Sequence, residues 1–592
     1  MQDRFRVIVV DLSRNLSSLE YFDTRNQWLG GSGLAAGLYQ NFGLVQEDPF
    51  HPDQPLILAI GPLTGYFPLM SKTILGFMSP YNGQYAESHA GGRSALAIKF
   101  AGYDALVIKG RAEKPVCLGL ASKQIHIQDV HFLKGMDIYK TGKQLRSFKP
   151  RDPGHRSILR IGPAGENLVS FACINVDTYR HFGRMGGGAA MGAKNLKGII
   201  VSGDDHLDLD PESSKEYNRV YNQIYSTVLQ SGAMRKYHDL GTAENLIPLN
   251  ELNALPWRNM QSTHDPDVQA VSGEKFAQDF LLRQVACAGC PVGCIHIGLL
   301  RERFAEEHEF FYRQVSYDYE PIFGMGTMLG IKSVPEVLTL LEDVEKLGLD
   351  AISAGVVLAW ATEALDKGIL TQEQTLLRFE FGNLQPFRAG LAYLAHPAND
   401  FYRTLAQGAL VAAEKYGGEH FACVLGQEMA GYATGENYFV SQALGFRHSH
   451  LDTGAYGFDQ QENSYNIQEA LDFMHGQESY RVLMSCMSGC LFGRKAYPQE
   501  NILLALNSLG YNYDQKSLQE VVENIKCLRW ALKFKTGFKP ENIKIPSRFL
   551  EIETWKGGQD PEYLHQLKSE YQKVLKKMAA SYQEDSVEND KF

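Results

Sequence analysis

From residue 1 to about 205 the chain alternates short apolar, β-branched runs with glycine- or proline-bounded turns, a pattern that predicts strands. The clearest runs are residues 6–10, 56–60, 105–108, 157–161 and 198–201. Glycines cluster between them, at Gly30-Gly31, Gly91-Gly92 and Gly186-Gly187-Gly188, where backbone can approach a ligand closely. Polar, acidic residues 203–210 end at Pro211, and helical periodicity begins at 212 and continues to 230, so a boundary falls near 205. The remainder alternates helical segments with polar loops. Ser517-Leu518-Gln519-Glu520 has the capping-box pattern and opens an expected helix to about Phe534, stopped by Gly537. Gly417-Gly418 suggests a further boundary near 415, and the acidic, apolar-poor last twelve residues read as a frayed tail. No internal repeat is evident. The expected class is α+β with several domains: a β-rich unit over 1–205 and mainly helical units over 206–415 and 416–592.

At 592 residues the chain exceeds what one hydrophobic core serves, and 44% hydrophobic with 21% charged residues is an ordinary globular balance. A formal charge of -10 removes the broad attraction that nucleic acid or an anionic membrane surface requires. No apolar run approaches the roughly 20 residues of a membrane-spanning helix, and the N-terminus lacks a secretory pattern. A cytoplasmic protein is the expectation.

Nine cysteines are too few and too unevenly placed for a disulfide scaffold, yet Cys287, Cys290 and Cys294 fall within one Gly/Pro-rich turn. Soft thiolates at that density suit zinc or an iron–sulfur cluster; three unligated neighbours would be prone to oxidation. Zinc ribbons usually add a second CxxC nearby, whereas the next cysteine here is Cys423; a [4Fe-4S] cluster tolerates a remote fourth ligand. Spacing alone does not choose it among Cys117, Cys173, Cys423, Cys486, Cys490 and Cys527.

Five ordered segments accompany this triplet: Gly61-Pro-Leu-Thr-Gly65; Lys99-Phe-Ala-Gly-Tyr-Asp104 with Val107-Ile-Lys-Gly110; Ile161-Gly-Pro-Ala-Gly-Glu-Asn167; Gly183-Arg184; and Met191-Gly-Ala-Lys-Asn-Leu-Lys197. Together they resemble the tungsten-dependent aldehyde:ferredoxin oxidoreductases along nearly the whole chain. The resemblance implies a β-rich base carrying a tungsten or molybdenum bis-pyranopterin, two mainly helical domains over it, and a [4Fe-4S] cluster beside one pterin. The family's Asp-x-x-Gly-Leu-Asp/Cys repeat is similar to Glu345-Lys-Leu-Gly348-Leu349-Asp350 and to Ser485-Cys-Met-Ser-Gly489-Cys490, making Cys490 the implied fourth ligand and Cys486 the runner-up. Ser485 stands where an Asp is expected and Glu345 keeps a carboxylate.

Lys72 lies where the family has a phosphate-binding Arg, a change that keeps charge and loses the bidentate fork. Ser88-His89-Ala90-Gly91-Gly92 resembles the loop that helps bind a Mg2+ bridging the pterin phosphates, with His89 in place of Asn; Arg180-His181-Phe182-Gly183-Arg184 resembles the opposite phosphate arm. A dinucleotide reading of the Gly186–Gly192 loop fails because polar residues 177–184 cannot be the apolar strand it needs. Tyr317-Asp-Tyr319-Glu320-Pro321 resembles the family's Tyr-Glu segment, with Glu320 as base and Tyr319 beside it. Burial among aromatics would raise the pKa of Glu320. His450 matches the family's active-site His-Leu step, and His448, two residues away, would share one side of a strand with it.

The resulting expectation is oxidation of an aldehyde to a carboxylic acid, with electrons leaving through the cluster to ferredoxin or an iron–sulfur subunit, in an assembly with itself or with that subunit. The alternatives are a relative that reduces an aromatic acyl-coenzyme A thioester and a non-catalytic cofactor-binding subunit.

Overall fold

The computed structural model describes residues 4–122, 124–150, 154–207, 209, 214–304, 309–461 and 465–582. Of the expected tail, Ser581 ends a helix and Tyr582 follows it, and residues 583–592 lie outside the described residues, as do Pro211 and part of the polar stretch before it. The N-terminal part folds into two six-stranded sheets. The first contains β1 (Phe5–Asp11), β2 (Leu16–Phe22), β3 (Leu56–Ala59), β4 (Thr73–Met78), β5 (Tyr85–Ala90) and β6 (Ala105–Lys109), in the order β2-β1-β6-β3-β4-β5. The second contains β7 (Val116–Ala121), β8 (Gln124–Asp129), β9 (His155–Arg160), β10 (Ile174–Val176), β11 (Arg180–Phe182) and β12 (Leu196–Gly203), in the order β11-β10-β9-β12-β7-β8. All five expected runs form strands, two of them running one residue past the strand end at Ile60 and Ile161. Of the others, β2 is largely exposed and β10 has three residues, while the buried β4, β5 and β7 carry a glycine or polar residues that interrupt the β-branched pattern.

The two sheets have one topology. In each, an opening antiparallel hairpin (β1/β2, β7/β8) takes the last strand beside its first by the sheet's single parallel pairing, β1 with β6 and β7 with β12. In each, the other three strands follow antiparallel on the far side of that last strand. A glycine-led helix precedes each last strand, Ser94–Phe100 after Gly91-Gly92 and Gly187–Ala193 after Gly186. The structure therefore overturns the expectation of no internal repeat; pairing order preserves the duplication that side chains have lost.

The rest is mainly helical, as expected, with one unexpected element. β13 (Leu281–Val285), β14 (Ile295–Arg303) and β15 (Phe310–Tyr317) form an antiparallel sheet, and the cysteine triplet is the connection between β13 and β14. The helix Gln515–Lys535 begins one turn before the expected cap: Asp514 is the N-cap, and Ser517 is its partner in the capping box. Asp514 wins because a carboxylate at the N-cap also complements the helix dipole. The largest buried apolar cluster draws on residues from Phe5 to Met578, so the helical part is packed directly on the base.

Two helix ends lock onto the duplicated base in the same way. The helix Val334–Leu347 ends at Gly348 (φ 76°), and Leu349 N–H donates back to Val344 O at 3.2 Å. The helix Ile467–Cys486 ends in a turn through Ser488 (φ 62°), and Gly489 N–H donates back to Met484 O at 2.7 Å. Gly348 O accepts from Cys173 N and Asp350 N–H donates to Phe171 O, at 2.9 and 3.0 Å; Ser488 O accepts from Lys72 N and Cys490 N–H donates to Leu69 O, at the same distances. The glycine of each Gly-Pro pair presses on its turn: a Cβ on Gly162 would lie 2.4 Å from Leu347 O, and one on Gly61 2.3 Å from the Met487 carbonyl carbon. Asp350 and Cys490 thus occupy equivalent places. Ser488, not Gly489, takes the left-handed position, so Gly489 matches Leu349.

Gly162→Ala should lower the thermal unfolding midpoint, an overpacking cost of about 1–3 kcal/mol. Gly476→Ala, in an exposed helix interior where an added Cβ meets nothing within 4 Å, should raise it.

Candidate functional site

The turn at Ser488 brings Cys490 to the triplet. Leu69, itself left-handed, clips them together: its N–H donates to Gly289 O at 3.3 Å and its carbonyl accepts from Cys490 N–H at 3.0 Å. Arg180 Nη2 lies 3.6 Å from Cys294 Sγ, and Ala288 N–H donates to Gly92 O at 3.0 Å. A Cβ on Gly91 would sit 2.7 Å from Cys287 Sγ and 3.7 Å from Lys72 Nζ, so only glycine leaves room there. Cys486 is buried elsewhere, within the electrostatic reach of Arg529 and Glu87. The structure gathers Cys490, and not Cys486, with Cys287, Cys290 and Cys294.

Burial pushes the thiols of Cys290 and Cys294 up to about 12, and charge on Cys287 and Cys490 adds to the shift. Burial acts the same way on Cys287, but Arg180, Lys72 and the Gly92 backbone N–H outweigh it and hold that thiol below its usual range. Arg180 in turn keeps its charge against burial because the Cys287 sulfur first, then Cys294, Asp318 and Cys490, favour it.

Beside this cluster lies a cavity of about 210 Å³ whose lining includes Arg180, Arg184, Cys294, Asp318, Glu345 and Asp350. His181 and Gly183, from the same arm as Arg180, also line it, as does Leu349. Glu345 is held at the helix end by His181 Nε2 on one oxygen and Asn175 Nδ2 on the other, both at 2.7 Å. Asp350 caps the helix Ala351–Asp366 and meets Arg184 Nε at 3.3 Å. Arg184 Nη2 donates to Glu428 O at 2.5 Å, and Glu428 accepts from Ser353 Oγ and Tyr81 OH. Arg180 Nε and Arg184 Nη1 are buried without a hydrogen-bond partner among the described residues. Two orphaned guanidinium N–H groups at one cavity are suited to an anionic ligand.

Glu320 and His450 meet as expected: His450 Nε2 lies 3.1 Å from Glu320 Oε1, which also accepts from Tyr432 OH at 3.0 Å. His450 Nδ1 is buried with no partner among the described residues. The expected rise in the Glu320 pKa is reversed. Burial pushes it up, but hydrogen bonding and charge from His450, with Tyr432, hold it below the usual carboxylate range. The raised carboxylate is Asp318, pushed up to about 7 by burial and by the negative Glu320, against the pull of Arg180 and Lys72. Asp318 thus stands between the cysteine-side cations and the Glu320–His450 pair. Nothing in the sequence marked it beyond the spacing of two carboxylates, and Tyr432 carried no signal.

Other expected residues go elsewhere. His448 and His450 lie in a run of turns, with His448 at φ 50°, rather than on one side of a strand. His448 Nδ1 donates to Ala443 O at 2.9 Å and its Nε2 accepts from the buried Lys533 at 3.2 Å, committing both nitrogens. Burial, then the charge of Lys533, depresses His448 to about 3 and keeps it neutral. Tyr319 OH donates to Gly431 O and its ring is fully buried. His89 is also neutral, pushed down to about 4 by burial and Arg447; its Nε2–H donates to Glu87 at 3.1 Å and its Nδ1 accepts from Arg447 Nη1 at 3.1 Å. Arg447 continues to Asp452 at 2.8 Å, and Glu87 pairs with the buried Arg529 at 2.8 Å. The His89 ring therefore ties the base to the loop carrying His450. Lys72 faces Gly91 and Cys287, Ala90 ends β5, and Ser485 is buried in the last turn of its helix.

In protein prepared without iron, limited alkylation with iodoacetamide near neutral pH should label Cys287 before Cys290 and Cys294, because only its thiolate is favoured. Peptide mass spectrometry reads the order.

The aldehyde ferredoxin oxidoreductase N-terminal domain model matches residues 7–203, and the model for that family's domains 2 and 3 matches residues 219–582. A tungsten-containing aldehyde ferredoxin oxidoreductase of Pyrococcus furiosus is 30% identical over 584 residues, covering 92% of this chain and 91% of the relative. A second P. furiosus protein, an aliphatic sulfonate oxidoreductase WOR-like subunit, is 31% identical over 435 residues, covering 69% and 67%. Among solved structures, the active site complex BamBC of benzoyl coenzyme A reductase with 1,5-dienoyl-CoA superposes with a TM-score of 0.80 at 21% identity, covering 97% of this chain and 95% of that one. With both models matched in order and the β-rich base under its helical cover, the chain belongs to the aldehyde ferredoxin oxidoreductase family.

Proposed function

We propose that the protein is a tungsten or molybdenum bis-pyranopterin oxidoreductase that converts an aldehyde and water to a carboxylic acid, two protons and two electrons. The electrons leave through a [4Fe-4S] cluster to ferredoxin or an iron–sulfur subunit. The observation that carries this reading is the pair of matched helix-end turns, one presenting Asp350 at the cavity and the other delivering Cys490 to the triplet.

The residues fit the implied groups. Cys287, Cys290, Cys294 and Cys490 each give one thiolate to a cluster. Lys72, Arg180 and Arg184 would hold the pterin phosphates, with the orphaned nitrogens of the two arginines as free donors. Glu345, Asp350, His181 and the backbone at Ala90, Gly91, Gly183 and Leu349 would hold one pterin; Ser485 and Gly489 would do so at the second turn. A Mg2+ between the phosphates would be held without the His89 ring, whose nitrogens are both engaged. When bound, the metal–pterin group would supply two-electron redox chemistry and the cluster one-electron transfer.

The chain's own part is proton handling. Glu320, ionised beside His450 and Tyr432, accepts a proton from the attacking water, while His450 hydrogen-bonds the substrate oxygen through Nδ1. Asp318, protonated below about 7, is the second member of the relay. Tyr319 and His448 position the site from behind. The base is assigned to 1–205 and the helical domains to 206–415 and 416–592. An anaerobic, reducing cytoplasm suits nine free cysteines, and among the described residues no helix is long and apolar enough to cross a membrane.

Protein from a tungstate-supplied culture should contain tungsten or molybdenum and reduce a viologen dye with aldehydes; turnover confined to aromatic acyl thioesters, or metal-free protein, would overturn the assignment. Cys490→Ala should lose iron where Cys486→Ala keeps it. Glu320→Gln should cut kcat by ~10²–10⁴ with metal content unchanged. As pH rises through about 7, Asp318 ionises and sets a second negative charge beside Glu320, so the turnover profile should bend there and Asp318→Asn should remove the bend.

A further inference from the structure

We propose that a basic cleft beside the cysteine cluster is the docking surface for a small acidic electron-carrier protein, an inference that rests on the function proposed above. The chain carries a formal charge of -10, yet the cleft, of about 770 Å³, is lined by seven arginines and lysines and one carboxylate, Asp177. It opens between α-helical residues 138–145, the β9–β11 side of the base and the end of β13, and its exposed cations include Arg93, Lys143, Arg146 and Arg283. Backbone carbonyls fix the deeper guanidinium groups: Arg156 donates to Arg146 O and Phe148 O at 2.9 Å, and Arg160 to Ile138 O at 2.7 Å. The basic field is therefore held in place by the fold.

Its position gives the surface its meaning. Val285 and Ala286 line the cleft and run directly into Cys287, and Ala286 is exposed. Gly92, also in the lining, accepts the Ala288 N–H. Arg180 belongs to both places, lining the cleft and reaching Cys294 Sγ at 3.6 Å. Electrons need an exit near the cluster, and this cleft opens directly beside it. An acidic carrier would be repelled by the molecule as a whole and drawn to this one patch, which sets orientation and on-rate more than affinity. A shallow, charged, quickly exchanged contact is also what transient redox partners use.

The test combines Lys143→Glu, Arg146→Glu and Arg283→Glu in the holoenzyme. Aldehyde turnover with methyl viologen should stay within about twofold, while kcat/KM for an acidic [4Fe-4S] ferredoxin at low salt falls about tenfold or more and loses most of its salt dependence. An unchanged kcat/KM and salt slope for ferredoxin would overturn the proposal. Should charge reversal impair folding, the triple Gln variant at the same positions, titrated calorimetrically with ferredoxin, must bind roughly threefold or more weakly at low salt, and equal binding overturns it. ADP or inorganic phosphate binding that is lost in the variant while ferredoxin is unaffected would mark a small-anion site and also overturn it. Failure of the wild-type enzyme to turn over with viologen would count against the proposed function instead, and the binding titration still reads the surface.

Discussion

The site depends on how two helices stop. A helix end leaves carbonyls unpaired, and here each end closes with a left-handed residue and a backward N–H···O bond, then hands the next carbonyl and N–H to the base. Each such backbone bond contributes about 1 kcal/mol net, less than the cost of leaving its groups buried and unpaired. Gly61 and Gly162 are the counterparts of those turns, since any side chain there would collide with the helix backbone. Because the base is duplicated, the geometry occurs twice, and a single difference in the residue that follows separates the two outcomes. Asp350 caps a helix and holds Arg184, whereas Cys490 joins three thiols.

Charge is distributed around these anchors with the same economy. Arg180 and Lys72 favour the Cys287 thiolate and draw on Asp318, which in turn feels Glu320. Two carboxylates of similar intrinsic strength are thus driven apart: Glu320 is stabilised as the anion by its histidine and tyrosine, and Asp318 retains its proton to near neutrality. Behind them, Glu87 and Arg529 form a buried pair to which His89, Arg447 and Asp452 are hydrogen-bonded in sequence. Removing one member would strand a buried charge, an effect of several kcal/mol, so this chain rigidly links base, helix and histidine loop.

Much of the fold was readable because many buried strands are continuous apolar runs; what was not readable was solvated, short, interrupted by glycine or polar residues, or purely topological. β2 exposes most of its side chains, and β13 and β15 are mostly solvated strands flanking the cysteine turn and β14. The duplication left little beyond a Gly-Pro pair in each half, at 61–62 and 162–163, and a glycine cluster before each helix, too little to identify without the strand pairing and the paired hydrogen bonds. At the site, residue types with intrinsic chemistry were legible: the cysteines, Glu320 and His450 come together. Roles set by environment were not. Which of His448 and His450 is free depends on Lys533, eighty-five positions from His448, and which carboxylate holds a proton depends on who its neighbours are. Ser488 concealed the second turn by adopting a conformation usually reserved for glycine.

An anomalous-scattering map of crystals of the anaerobically purified holoenzyme addresses the central claim most directly. The account predicts an iron peak enclosed by the sulfurs of Cys287, Cys290, Cys294 and Cys490, and a separate tungsten or molybdenum peak in the cavity beside them that Arg184, Glu345 and Asp350 line. A lone zinc peak among those sulfurs, or a cavity without a heavy scatterer, would contradict it.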